Sequence, residues 1–434
     1  MSNSAEAGSA PDALVSSLPS DETVSSNKTV FARLSAMMLL EYIVFGSWFA
    51  TLGLVLATHG LPTIIGLAYA LAGVAAIVSP MFLGAIGDRF LASHKLLGLA
   101  HAAGGVVLLL LPSIVGAARG TLVLVFVFVY MLFFQPTLAL TNSIAFRHLG
   151  SNQRLFPYIR VFGTIGWIVA GLAVGAMGLS ASTGVFVVAA IMSFVLAVYS
   201  FTLPATPPAA RGVKFAIGDF FGSKAFVLFR QRNFVILIIC SLLTAISLGT
   251  YNSFASPYLG ALGIENVAGV LAIGQISEVV FIVTIPFVLA RLGMKYALLT
   301  GMLLWGVRFV LFAAAAGGHH WLAVVAIALH GICNDFFLIL GAMYVDRIAP
   351  IQIKAQAQSL LILVIAGVGS SLGSLAAGWV YGATVASGTD SSPAAWTPVW
   401  FEPITAAAIT AILWLCLFRY SRSEEQVRTP QPVH

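Results

Sequence analysis

The chain has 434 residues, 59% of them hydrophobic and only 8% charged, with a formal net charge of +6. Soluble globular domains carry roughly 25% charge, so this composition, with a mean hydropathy of +0.99, excludes a water-soluble fold and makes lipid the solvent for most of the chain. The positive charge does not imply nucleic acid as a partner, because the basic residues are scattered between apolar runs, with neither a basic patch nor a nucleic-acid motif.

Residues 1–31 begin Ser-, Ala- and acid-rich and read as a disordered cytoplasmic tail. They lack the charged start, short apolar region and cleavage site of a signal peptide. A spanning helix needs about 20 mostly apolar residues. Runs of that length follow near 32–56, 62–87, 95–117, 121–146, 153–178 and 182–203, then near 233–259, 265–290, 295–316, 321–345, 355–383 and 398–418. Strands would need alternation over about ten residues, so the expected fold is an all-α membrane protein of twelve transmembrane helices. The polar stretch 204–232 divides it into two six-helix halves, 32–203 and 233–420, and reads as a cytoplasmic linker. Residues 421–434 form a second cytoplasmic tail.

Basic residues test this count, because cytoplasmic loops collect Lys and Arg. With the N-terminus in the cytoplasm, only Arg119 of the 21 Lys and Arg residues falls in an outside loop, and only Arg160 and Arg308 fall within spans. All the others lie on the cytoplasmic side, and a missed helix would have inverted the pattern. The halves also match each other. Gly84, Asp88 and Arg89 follow the second span, and Arg291, Gly293 and Lys295 follow the eighth; the fifth and eleventh spans are both glycine-rich. Such duplication places a substrate site between the halves near the midplane, with Gly84, Asp88 and Arg89 expected in a gating loop. The glycines of Gly367–Gly373 lie inside an apolar run and are read as helix packing.

An ionisable side chain at the bilayer centre costs about 2.5–3.5 kcal/mol on insertion scales, so each one needs a reason. Five qualify: Glu41, Arg160, Glu278, Arg308 and Asp335. Arg160, Thr164 and Trp167 share one helical stripe that offers a cation, a hydroxyl and an aromatic ring. Gln275 and Glu278 share another, and Asp335 follows Asn334 in the middle of the tenth span. These groups suit a small polar solute. Arg308 is expected to form a structural ion pair with one of the acids. Glu41 is either a proton site or the partner of a basic residue. Cys240, Cys333 and Cys416 lie far apart in apolar runs, no His spacing suits a metal, and no catalytic motif appears. No metal, cofactor or enzymatic activity is therefore expected.

These residues also carry a resemblance. Gly46-Ser47-Trp48 with Thr51-Leu52-Gly53, Pro136-Thr137-Leu138 with Asn142-Ser143-Ile144, and Ile159-Arg160 with Gly163-Thr164-Ile165-Gly166 mark the first half. Gln275-Ile276-Ser277-Glu278, Thr284-Ile285-Pro286-Phe287, Arg308-Phe309 and Asp335-Phe336-Phe337 mark the second. Through nearly all of residues 34–420 the chain resembles the nucleoside:proton symporter family of the major facilitator superfamily. The resemblance implies proton-coupled nucleoside uptake by alternating access. It implies a nucleoside site lined by Arg160, Thr164, Trp167, Asn252, Gln275, Glu278, Asn334 and Asp335, with Asp335, Glu278 and Glu41 as candidates for carrying the proton. Three positions depart from the family pattern: Gly249 and Glu41 each stand where the family has Gln, and Asn334 stands where it has an aromatic residue. Another polar solute carried by the same fold, a sugar or a modified nucleoside, is the alternative. An exporter fits the polar site less well, and a receptor or membrane enzyme would need a domain or constellation that the chain lacks. The expected setting is a bacterial cytoplasmic membrane, and the expected state a monomer.

Overall fold

The structure is a computed structural model that describes residues 21–79, 91–150, 152–207, 223–388 and 392–419. Gly84, Asp88 and Arg89, expected in the gating loop, lie outside these residues, as does most of the linker. Among the described residues there are only helices. In lipid a backbone must satisfy its own hydrogen bonds, and a helix does so within one segment.

Ten helices are long and apolar enough to cross a membrane, and two shorter apolar ones complete the set. In chain order they are α1 (Lys28–Gly46), α2 (Pro62–Ser79), α3 (Ser93–Gly116), α4 (Gly120–Leu149), α5 (Gln153–Ala176), α6 (Gly184–Ser200), α7 (Arg232–Ala261), α8 (Val267–Ile282), α9 (Ile285–Ala315), α10 (Trp321–Ile348), α11 (Lys354–Ala386) and α12 (Pro393–Leu417).

Two expected spans are interrupted. The first breaks after Gly46 and restarts as the short helix Leu52–Thr58. Tyr69 of α2 bridges the break: its hydroxyl donates to the Phe49 carbonyl at 2.6 Å and accepts the Gly53 amide at 3.2 Å. Those are backbone groups that a continuous helix would have satisfied itself. The eighth span breaks at 283–284 and restarts at Ile285-Pro286, where proline has no N–H to lose. The restarted helix is broken again at Gly293, whose φ of 69° and ψ of 170° suit a residue without a Cβ. Residues 285–292 thus finish the eighth crossing and 294–315 make the ninth.

The packing repeats with an offset of six helices. α1 packs on α5 and α6, α2 on α4, and α3 on α4 and α6; correspondingly α7 packs on α11 and α12, α8 on α10, and α9 on α10 and α12. The halves meet through α2 and α11, through α5 and α8, and through helix Leu52–Thr58 against α7. These contacts are made by small residues. A Cβ at Gly66 would overlap the Ser374 carbonyl and approach Gly378, and Ser371 donates to the Ala70 carbonyl at 3.1 Å. Gly53 abuts the Ser253 carbonyl, and Gly175 abuts Asn266. Most of these residues lie in the half of their helices remote from the two chain termini, so the halves are closed at that end.

Candidate functional site

A cavity of about 390 Å³ lies between the halves. From the first half, Arg160, Thr164 and Trp167 face it as the stripe on α5 predicts, beside Tyr42 and Phe45 of α1 and Gln135 of α4. From the second half come Tyr251 and Asn252 of α7, Gln275 and Glu278 of α8, His330 and Asn334 of α10, and Ser370 of α11.

Close packing sets the positions of these groups. The Arg160 guanidinium lies over the Tyr42 ring, 4.4 Å from its centroid. Gly163, one turn on, leaves room for both, since a Cβ there would come within 2.6 Å of Arg160 Nη1 and 2.8 Å of the Tyr42 ring. Trp167 meets Phe45 edge-on, with centroids 5.0 Å apart and planes at 89°. It thereby presents a rigid aromatic wall. Across the cavity, α8 and α10 touch at backbone distance. A Cβ at Gly331 would overlap the backbone of Ser277 and Glu278, and the Gly331 amide donates to Ser277 Oγ at 2.9 Å. This contact brings Glu278 and Asn334 side by side. Arg160 and Glu278 therefore act on each other across the space from opposite halves. Among the described residues they form no salt bridge. A polar molecule between them would meet a cation on one side and a carboxylate with amides on the other.

Asp335 does not line this cavity. It is 1% exposed, starts the π-helical turn Asp335–Ile339 and has neither carboxylate oxygen hydrogen-bonded. It is therefore a buried neighbour of the lining residue Asn334 and is not itself part of the cavity wall. Glu41 is also away from the cavity. It is fully buried, accepts from Thr137 Oγ1 at 2.5 Å and pairs with His101 Nε2 at 2.9 Å, so its basic partner is a histidine of α3.

The expected ion pair of Arg308 is corrected by the structure. Among the described residues Arg308 forms no salt bridge. Its Nε donates to the Ala326 carbonyl at 2.8 Å and its Nη1 to His330 Nδ1 at 2.9 Å, and its guanidinium lies 4.0 Å from the Tyr251 ring centroid and 4.9 Å from that of Trp305. Two aromatic faces, a carbonyl and an imidazole lone pair take the place of a carboxylate, because α9 turns Arg308 toward α7 and α10, away from the acids. Gly249 has a packing role in this structure. A Cβ there would overlap the Ser370 carbonyl of α11, so no side chain could reach the cavity from it without moving that helix.

Gln135, His330, Tyr42, Tyr251 and Ser370 line the cavity and were not singled out as site residues in the sequence. Gln135 and His330 carried the available signal, a polar side chain within an apolar run. The tyrosines carried none, because an amphipathic ring is ordinary at any depth.

Comparison with known proteins fits this geometry. A family model described as "Nucleoside H+ symporter" matches residues 28–423. The putative nucleoside transporter YegT of Escherichia coli (strain K12) is 35% identical over 413 residues, which cover 91% of this chain and 95% of YegT. The xanthosine permease of the same organism is 29% identical over 424 residues, 94% of this chain and all of that protein. The crystal structure of nucleoside transporter NupG superposes with a TM-score of 0.79 at 26% identity, covering 90% of this chain and 100% of that one.

Proposed function

This chain belongs to the nucleoside H+ symporter family, and from that premise we propose how its own residues carry out transport. It is a multi-pass membrane transporter, not an enzyme, that takes up nucleosides together with protons. In our reading the nucleoside binds in the central cavity, between halves 32–203 and 233–420. Arg160 and Thr164 donate to it, Trp167 stacks against it, and Asn252, Gln275, Glu278 and Asn334 address its polar edges. The observation that carries this reading is the supply of hydrogen-bonding groups by both halves to one cavity with an aromatic wall.

Asp335 is the proposed proton carrier, with Glu278 as the group facing the solute. A buried carboxyl with no hydrogen-bond partner is far less costly neutral than charged. A protonated Asp335 lets the loaded carrier reorient without moving a bare charge through apolar surroundings. Glu41, held by His101 and Thr137, is assigned a structural role. We place the protein in a bacterial inner membrane as a monomer, with both termini cytoplasmic, as the distribution of basic residues supports.

The test is uptake of radiolabelled uridine and adenosine into proteoliposomes, with and without an inward proton gradient. Gradient-stimulated uptake of either is expected. Vesicles that hold folded protein and take up neither would overturn the nucleoside reading in favour of another polar solute.

A further inference from the structure

His330 lines the cavity, yet one of its ring nitrogens is held by a residue that lies outside it. Arg308 is fully buried and donates to His330 Nδ1 at 2.9 Å. A guanidinium has only donors, so Nδ1 must offer its lone pair. A neutral imidazole with a lone pair on Nδ1 carries its hydrogen on Nε2. A proton on Nδ1 would set donor against donor, and a ring protonated on both nitrogens would also place a second cation beside Arg308.

The ring is also fixed in place. It stacks on Tyr251 with centroids 5.0 Å apart and planes at 27°, meets Trp305 edge-on at 6.0 Å, and has its Cβ against Gly274 of α8. A flip would break the bond to Arg308. Nε2 has no hydrogen-bond partner among the described residues, and it is not among the buried atoms sealed off without one. Since His330 lines the cavity, its free N–H is available there.

From this we infer that His330 is a fixed hydrogen-bond donor to an uncharged oxygen or nitrogen acceptor of the bound nucleoside, and that Arg308 is the positioning residue that holds it in that form. The inference rests on the nucleoside reading and adds to it a contact that does not change with proton loading. The titratable and charged groups around the ring are Tyr251 on α7, Glu278 on α8, Arg308 on α9 and Cys333 on α10, with Arg160 across the cavity on α5; Asp335, farther along α10, acts on Glu278. The two carboxyls are the groups that can exchange protons during transport. His330, tied to a permanent cation, keeps one solute contact constant while they do.

The experiment is equilibrium binding of radiolabelled uridine and adenosine to the detergent-solubilised full chain. His330→Phe keeps the ring and loses the N–H, and is expected to weaken binding about tenfold, the worth of one neutral hydrogen bond in an enclosed site. His330→Gln restores a donor and should recover most of that loss. Arg308→Met removes the donor that holds the lone pair on Nδ1, so its histidine-labelled 15N spectrum should show an Nδ1–H form of His330 that wild type lacks. Its binding should fall below that of wild type, and by less in a His330→Phe background, where no N–H is left to position.

The 15N spectrum of histidine-labelled wild-type protein needs no change at Arg308. With His330 identified by the signal lost in His330→Phe, a protonated Nε2 and a bare Nδ1 are expected; an Nδ1–H tautomer or an imidazolium overturns the inference. Wild-type protein that binds nucleoside, with His330→Phe binding equally well, overturns the contact alone. Wild-type protein that binds neither nucleoside overturns the nucleoside reading, while the 15N spectrum still decides the tautomer.

Discussion

Asp335 and Arg160 stand for two ways in which a polar residue earns a place inside a membrane. Arg160 faces the cavity with its guanidinium spread over Tyr42, where it can donate to a solute without being stripped of all polar company. Arg160→Ala should weaken nucleoside binding about ten- to a hundredfold, the range for losing a hydrogen bond to a charged group, as measured by equilibrium binding. Asp335 lies behind the cavity wall with both oxygens unpaired, a position suited to a proton and unsuited to a solute. Asp335→Asn should therefore keep exchange of labelled for unlabelled nucleoside across proteoliposomes without a gradient, while accumulation driven by a proton gradient is lost. Full accumulation by that variant would move the coupling role to Glu278. Both residues were legible in the sequence as charges within apolar runs. The face each one turns to was not, since it depends on the rotation of its helix within the bundle.

At the scale of helices, contacts between backbones position the site. Gly331 lets α10 approach α8 until its amide reaches Ser277 Oγ. Gly331→Ala would force the helices apart, at about 1–3 kcal/mol for overpacking a dense contact. A lower melting temperature in detergent and weaker binding are expected together, because Glu278 and Asn334 shift with the helices. In the first half, Glu41 joins α1 to α3 and α4 through His101 and Thr137. Glu41→Leu leaves His101 Nε2 buried without its partner, although Thr137 keeps its bond to the Phe134 carbonyl, and should cost about 1–3 kcal/mol, while Glu41→Gln, which can still bond to both, should retain most of the stability and the gradient-driven accumulation. A loss of accumulation in a stable Glu41→Gln protein would return Glu41 to the coupling pathway. The expected helix positions were legible because about 20 apolar residues make one span regardless of neighbours. The breaks at 47–51 and 283–284 were less so. The first is stabilised by Tyr69 from another helix, a partner that no local pattern announces.

For the whole molecule, the two halves close against each other at the end remote from the termini, through glycines and serines of α2, α7 and α11 and the contact of α5 with α8. Small residues allow backbones to meet, and a contact that excludes side chains can be opened or closed as a unit. Gly66→Leu would wedge α2 from α11, and should expose a cysteine placed at Thr164, in a background without other cysteines, to an impermeant thiol reagent added from that end. Uptake driven by a gradient should fall, since one proton moving down 100 mV supplies only about 2.3 kcal/mol and cannot repeatedly close a wedged gate. Labelling unchanged from the unwedged protein would mean that this contact is not the barrier.

The amino-acid sequence by itself determined the solvent, the helical class, the two-part plan and which polar residues would sit inside the bilayer. Those properties follow from composition and hydropathy along about 20 residues at a time, and lipid leaves the backbone almost no alternative to a helix. The tertiary structure alone decided which polar groups meet. It paired Glu41 with His101, gave Arg308 to His330 and two aromatic rings, kept Asp335 buried and out of the cavity wall, and set Gly249 against Ser370. Such meetings depend on how helices distant in sequence are rotated and how closely they approach, and a shift of one residue along a helix turns a side chain by about 100°.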